Sequence, residues 1–373
     1  MEIVKIQGEH NRMQGVYYEY DRHSQPLGEG GMGRIYQGYR VDEYSGSRIY
    51  VAIKEINDEL SRNPQIIERA QREASIQIEH DNLLRIYDFV ANVEYLPLHD
   101  TNIVRYYMIM ERIVGVNVDQ LMAGNLTDKS GIFIPMAQEL YTQYCSNREY
   151  AVYVIMKNLL SGIMALHNSG YIHRDIDPSN IMITYDNKIK LIDFGVCKQI
   201  GAAPERQLTS AGSFIGKVNY AAPELAFGDV NLQNQTTDIY ALGILMYQLL
   251  VGSLPFTGSN QDILKQQVND KLPLKKIAHK GFRRIVEKAT EKRQEKRYAL
   301  AVEMLSDIEK AFMAKGGNSS SGLNTAVGGN TETSTGGVNQ GLIRVEKSIP
   351  VWVWPVSAVA GLVIGFVIKI LVH

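Results

Sequence analysis

The chain has 373 residues, 45% hydrophobic and 21% charged, with a formal net charge of -1. That length holds one large domain or two ordinary ones, and the near-zero charge excludes nucleic-acid or anionic-lipid binding driven by bulk charge, so no nucleic-acid partner is expected. Two cysteines occur, Cys145 and Cys197, which excludes a disulfide framework and favours a reducing compartment.

Residues 1–10 carry no cationic stretch followed by an apolar core, so no signal peptide is expected. From residue 17 to 111 short strand-like runs dominate, at 49–53, 83–90 and 104–110. One helical stretch over 64–79 interrupts them, with Asn63 and Pro64 as N-cap and first-turn pair. From 112 to 314 the patterns are mostly helical, at 150–169, 237–251, 281–291 and 299–314. A Tyr-rich stretch, 124–148, looks inserted into this plan and carries no functional signal. The expected fold class is α+β, with a small β-rich lobe over 17–111 and a larger helical lobe over 112–314.

Residues 315–347 are rich in Gly, Ser, Asn and Thr without apolar periodicity, and read as a flexible linker. Residues 349–368 contain no charge and begin with Trp352 and Trp354. About 20 residues at ~1.5 Å each span a ~30 Å hydrocarbon core, and interfacial aromatics belong at its edge. One C-terminal transmembrane helix is expected over 349–370, with the lipid bilayer as partner and little chain beyond it. A buried C-terminal helix fits less well, because the polar tract isolates this segment. Arg344 and Lys347 put the preceding chain on the cytoplasmic side. Ser357, Gly361 and Gly365 form a small-residue stripe suited to a homodimer of such helices, and the general abundance of Gly and Ala in membrane helices accounts for it equally well.

The stretch from Leu27 to Ile35 contains G-x-G-x-x-G through Gly28, Gly30 and Gly33. A Gly-rich hairpin turn carries the same pattern. Strand-like residues follow the third glycine, where a dinucleotide-binding fold would start a helix. Val51-Ala52-Ile53-Lys54 comes next. Glycines without Cβ let backbone N–H groups approach phosphates, and a lysine adds a compact cation. Further on come His173-Arg174-Asp175-Ile176-Asp177-Pro178-Ser179-Asn180 and Asp193-Phe194-Gly195. Their spacing can gather Asp175, Asn180 and Asp193 around a nucleotide phosphate. Ala222-Pro223-Glu224 and a helix opening at Asp238 complete the series.

In this order the motifs resemble those of protein kinases, of the bacterial Ser/Thr type, over residues 17–314. The resemblance implies a two-lobed kinase fold, ATP and Mg²⁺ as cofactors, and Ser/Thr hydroxyls of proteins as acceptors. It implies that Asp175 takes the hydroxyl proton, that Asn180 and Asp193 hold Mg²⁺, and that Lys54 meets the α- and β-phosphates. Arg72-Glu73-Ala74 resembles a run common in bacterial kinases, which makes Glu73 the carboxylate for Lys54. Glu68 remains the other candidate, because the spacing from Glu73 to His80-Asp81-Asn82 is short for the family. Residues 108–113 resemble the strand-to-hinge segment. Met110 would be its gatekeeper and Glu111 and Ile113 the backbone contacts to adenine. Leu27, Ile35, Ala52 and Met182 would enclose the nucleotide, with Asn117 near the ribose. Arg174 would receive a phosphate from an activation segment that offers Thr209, Ser210 and Ser213, Arg297 would pair with Glu224, and Asp238 would brace the catalytic loop.

Two positions depart from the family pattern together. Asp177 stands where Ser/Thr kinases carry Lys, and Lys217 stands where they carry Thr. The expectation is a charge swap, in which Lys217 pairs with Asp177 and restores a cation near the γ-phosphate. Asp177 is also the main argument for the alternative function, a pseudokinase or nucleotide-sensing scaffold. Either would be membrane-anchored and face the cytoplasm.

Overall fold

The computed structural model describes residues 2–317, apart from 31–32, 62, 97–99, 195–196, 201–216 and 229–231. Outside these lie Thr209, Ser210 and Ser213, the apolar segment over 349–370 and most of the linker expected over 315–347.

The first third of the chain builds one sheet. It comprises β1 (Ile3–Ile6), helix α1 (Glu9–Met13), β2 (Val16–Asp21), β3 (Gly28–Gly30), β4 (Gly33–Asp42) and β5 (Arg48–Ile56). Helices α2 (Asp58–Ser61) and α3 (Pro64–Ser75) precede β6 (Ile86–Leu96) and β7 (Thr101–Glu111). The strand order is β1-β2-β4-β5-β7-β6, with β3 beside β4 and every pairing antiparallel. Alternation along each strand decides which face a side chain joins. Val51 and Ile53 of β5 enter a core with Tyr107 and Ile109 of β7 and with Val4, Tyr18 and Tyr20. Ala52, Met108 and Met110 join the other core. Lys54, two residues beyond Ala52, shares the face of Ala52.

The sheet starts at Ile3, ahead of residue 17, where the sequence pattern begins. Asn11 Nδ2 donates to Asp88 Oδ2 at 2.6 Å, and Asn92 Nδ2 donates to the Lys5 carbonyl at 3.4 Å. Through these bonds β1 and α1 reach β6, at the far end of the strand order, so the sheet curls.

The region from residue 112 onward holds β8 (Gly115–Asn117), α4 (Val118–Met122), α5 (Pro135–Ser146), α6 (Arg148–Asn168), β9 (Tyr171–Ile172), β10 (Ile181–Thr184), β11 (Ile189–Leu191) and β12 (Lys198–Gln199). Then come α7 (Pro223–Ala226), α8 (Gln235–Val251), α9 (Asn260–Asn269), α10 (Lys280–Ala289) and α11 (Ala301–Gly317), the last running past residue 314 into the expected linker. Apolar residues occur around most of α6 and α8, so these two helices are the buried centre of this region. Asn234 accepts from Thr236 N at 2.8 Å to cap α8, and Gly252, at φ 85°, ends it in the left-handed conformation that glycine adopts freely. The inserted stretch contains α5, which buries Ala137, Leu140 and Tyr144 and packs on α6.

A small sheet, β11-β10-β8, carries the loop residues that matter most. Ile181 pairs with Leu191, and Ile192 N donates to Asn180 O at 2.8 Å. Asn180 and Asp193 therefore stand together at one end of a hairpin.

Candidate active site

The glycine hairpin is two strands pairing Gly28 with Ile35, Glu29 with Arg34 and Gly30 with Gly33. At Gly33 a Cβ would lie 1.9 Å from the Glu55 carbonyl oxygen, so the strand crossing admits only glycine. Leu27 N donates to Ile35 O at 2.7 Å and closes the hairpin's base.

Lys54 stands on β5 between Ile35 of β4 and Met108 of β7. Its side chain is 15% exposed, and Nζ lies 4.0 Å from Glu73 Oε2, itself 3% exposed. Glu73 is on the last turn of α3, on the side of the buried Ala70 and Ala74. Glu68 is 71% exposed and faces Arg72 at 3.5 Å. The structure therefore brings Glu73, and not Glu68, to Lys54.

Ala52 pairs in register with Met110, and both are buried. Met182 pairs with Asn117 across β10 and β8, and Ile35, Met182 and Ile113 are half-buried. Glu111 serves the lobe junction with its side chain. Its Oε1 accepts from Arg85 N at 2.7 Å and from Lys190 Nζ at 2.8 Å, and its own N–H donates to Arg85 O at 2.9 Å. Asn117 caps α4: Oδ1 accepts from Gln120 N at 2.9 Å, and Gln120 Oε1 accepts from Asn117 N at 2.9 Å. Its side-chain oxygen is committed to the helix end.

The loop from His173 to Asn180 is fixed from below. Asp238, fully buried at the start of α8, accepts from His173 N at 2.8 Å and Arg174 N at 2.9 Å, with His167 Nε2 at 2.8 Å. Burial alone would raise its proton affinity, but the His167 imidazole and the backbone donors prevail and hold its pKa below the usual aspartate value. Arg174 and Asp193 take φ of 68° and 66°, conformations that non-glycine residues adopt at a cost. Arg174 donates through Nη1 to Gln233 Oε1 at 3.1 Å and through Nη2 to the Cys197 carbonyl at 3.4 Å.

Asn180 organises the two aspartates. Its Nδ2 lies 2.9 Å from Asp175 O, 3.0 Å from Asp175 Oδ2 and 3.2 Å from Asp177 Oδ2, its two N–H groups shared among the three acceptors. Burial, and then the neighbouring Asp177 carboxylate, push the Asp175 pKa above its ordinary value. Asp177 is 1% exposed and caps the 3₁₀ turn Pro178–Asn180, accepting from Ser179 N and Ser179 Oγ, each at 2.7 Å. Lys217 Nζ donates to Asp177 Oδ1 at 2.6 Å and to Ser179 Oγ at 2.7 Å. Lys217 N also reaches Asp175 Oδ1, at 3.3 Å. Asp177 and Lys217, forty residues apart, thus form an ion pair beside Asp175.

Behind the loop, Arg297 grips Glu224 with two bonds, Nη1 to Oε1 at 2.8 Å and Nη2 to Oε2 at 2.9 Å. Sequence reading missed the support under residues 217–220. Gln267 of α9 donates through Nε2 to Asn219 O at 2.6 Å, and its Oε1 accepts from Tyr240 OH at 2.7 Å. A glutamine in a helix belongs to no motif, so nothing in the sequence marks it.

The family model for the protein kinase domain matches residues 21–309. The chain belongs to the protein kinase family. It is 30% identical over 289 residues to the probable serine/threonine-protein kinase PknB of Lactococcus lactis, covering 76% of this chain and 40% of that protein. It is 29% identical over 295 residues to the serine/threonine-protein kinase PrkC of Bacillus subtilis, covering 77% and 40%. The serine/threonine-protein kinase PknB of Mycobacterium tuberculosis is 29% identical over 292 residues, covering 76% and 41%. The chain spans about 40% of the length of these curated relatives.

Proposed function

We propose that this chain is a serine/threonine protein kinase that transfers the γ-phosphoryl group of ATP to protein hydroxyls. The observation that carries the reading is Asp175, oriented by Asn180 at 3.0 Å in a loop braced by Asp238. In the transfer, the acceptor oxygen bonds to the γ-phosphorus and the bond to the β–γ bridging oxygen breaks. ADP leaves with that electron pair, and the hydroxyl proton passes to Asp175. A raised proton affinity suits a base that works near neutral pH. Lys54, held by Glu73, and the glycine hairpin are the groups for the phosphates. Ile35, Ala52, Met110 and Met182 supply apolar surface for the base.

The residues fit Mg²⁺. The Asn180 amide nitrogen is committed to Asp175 and Asp177, which leaves its oxygen to join a carboxylate oxygen of Asp193. Such hard oxygen donors suit Mg²⁺ completed by phosphate and water oxygens. When bound, the ion neutralises phosphate charge.

Serine/threonine acceptors are supported by the names of the relatives and by Asp177-Pro178-Ser179, which does not resemble the tyrosine-kinase form of this loop. Asp177 is the main argument for the scaffold reading, and its ion pair with Lys217 speaks for the kinase reading instead. We further read the kinase as anchored in a membrane through residues 349–370, dimerising through Ser357, Gly361 and Gly365, and autophosphorylating at Thr209, Ser210 or Ser213. The deciding experiment is incorporation of labelled phosphate from ATP into protein Ser and Thr by the full chain. Asp175→Ala is expected to abolish it, and equal incorporation by both proteins overturns the reading. Alkaline washing of membranes is expected to leave the full chain in the pellet; release into the wash overturns the anchor.

A further inference from the structure

We infer that the cation beside the transferred phosphoryl group is supplied by Lys217 of the activation segment, and that seating of residues 217–220 on α8 and α9 completes the site. The inference rests on the kinase reading and adds a means of regulating it.

Asp177 is a buried carboxylate that shares the Asn180 amide with Asp175. Unpaired, it would repel a triphosphate and would itself be strongly destabilising. Its partner does not come from the loop. Lys217 comes from the far side of the segment and places Nζ between Asp177 Oδ1 and Ser179 Oγ, at 2.6 and 2.7 Å. An ammonium has three donors, and these bonds use two. The side chain is 46% exposed while its partner is 1% exposed, and the third donor is left for a phosphate oxygen. Lys217 N contacts the carboxylate of Asp175, which puts the residue next to the group that must meet the acceptor hydroxyl.

The residues after Lys217 are held by an unusual concentration of polar side chains. Val218–Tyr220 form a 3₁₀ turn. Gln267, fully buried, donates to the carbonyls of Asn219 at 2.6 Å and Val218 at 3.5 Å. Tyr240 OH donates to Gln267 Oε1, and Lys292 Nζ donates to Tyr240 OH at 2.9 Å and Gln267 O at 2.6 Å. Tyr220 OH donates to Gln248 Oε1 at 2.5 Å. Helices α8 and α9, with Lys292 bonded to both behind them, thus fix one turn, and that turn carries the ammonium. When the turn is unseated, Asp177 loses its counter-charge and the phosphoryl its cation in one event.

The test uses the full chain, with kcat, KM for ATP, equilibrium ATP affinity and melting temperature measured for each variant. Lys217→Met is expected to lower kcat about 10²-fold, as loss of one transition-state donor does, and Lys217→Arg to recover most of that loss. Asp177→Lys with Lys217→Thr is expected to be at least tenfold more active than the product of the single effects. Gln267→Ala is expected to lower kcat with ATP affinity unchanged. Lys217→Arg keeps the counter-charge of Asp177 and so folds even where Asp177→Lys does not, and the melting temperature shows whether Lys217→Met, which leaves Asp177 unpaired, loses rate or fold. Wild-type kcat in Lys217→Met, a multiplicative double mutant, or unchanged kcat in Gln267→Ala overturns the inference while leaving the kinase reading intact. A wild type no more active than Asp175→Ala overturns both.

Discussion

Asp238 accepts a hydrogen bond from the backbone N–H of His173, 65 residues away, at 2.8 Å. Its other oxygen holds Arg174 N at 2.9 Å, and Arg174 sits at φ 68°. One buried carboxylate therefore pins a strained backbone on which Asp175 depends. Asp238→Asn keeps the shape but replaces one acceptor by an N–H₂ that faces donors. Leaving buried donors unpaired costs about 3 kcal/mol. The melting temperature is expected to fall by roughly 5–10 °C, and kcat by about 10²-fold, with ATP affinity less affected. Calorimetry and steady-state assays check both. An Asn variant with wild-type kcat would show that the loop holds itself.

Glu224 and Arg297 form a two-bonded ion pair in the helical lobe, with both partners buried. Burial pushes the Glu224 pKa up, but the Arg297 guanidinium outweighs it and the net direction is down. A carboxylate lowered on folding adds stability that is present above its unfolded value, about 4.3, and lost as pH falls through its folded value. The wild-type melting temperature is therefore expected to fall more steeply below about pH 5 than that of Glu224→Gln. Arg297→Leu leaves Glu224 buried and unpaired, and is expected to cost about 3–5 kcal/mol at neutral pH. Denaturant unfolding at two pH values measures both, and parallel pH slopes would refute the linkage.

What could be read in the sequence followed the range of each interaction. Lys54, Asp175, Asn180 and Asp193 lie in short motifs, and the hairpin that joins Asn180 to Asp193 is local. The choice between Glu68 and Glu73 was open from motif spacing, but helical phase decides it. Ile67, Ala70 and Ala74 form the buried stripe of α3, and Glu73 lies beside it while Glu68 points out. The strand β1 has four residues and is set apart from β2 by α1, too short for periodicity to register. Helix α5 was obscured because Ile132 and Phe133, apolar yet exposed, precede it and blur its stripe. Gln267, Gln248 and Lys292 act across tens of residues, and no local pattern announces such contacts.

Asp175 predicts a measurable pH profile. Its pKa is raised by burial first and by Asp177 next. A base must be ionised, so activity is lost as pH falls through that raised value, and the acid limb lies above the ordinary aspartate value of about 3.9. Asp177→Asn removes the neighbouring negative charge and leaves the Lys217 ammonium unopposed. Both changes favour ionised Asp175, so the limb is expected to move to lower pH. The pH dependence of kcat in the two proteins is the measurement. A limb that stays in place, or moves up, would show that Asp177 does not act on Asp175.

Lys54 and Glu73 connect the sheet to α3, at 4.0 Å between Nζ and Oε2, longer than a direct hydrogen bond. Lys54 shares a face with Ala52, so its position is set by the strand, whereas Glu73 arrives on a helix. Lys54→Met removes the cation itself, and about a 10²-fold or greater loss of kcat is expected from the loss of phosphate stabilisation. Glu73→Gln keeps size and hydrogen bonding while removing the charge that orients Lys54, and a smaller loss, about tenfold, is expected. If Glu73 acts only by orienting Lys54, the double variant loses no more than Lys54→Met alone. Losses that multiply instead would mean that Glu73 serves the site independently, and Glu68→Gln supplies the control, since that exposed side chain is expected to leave kcat unchanged.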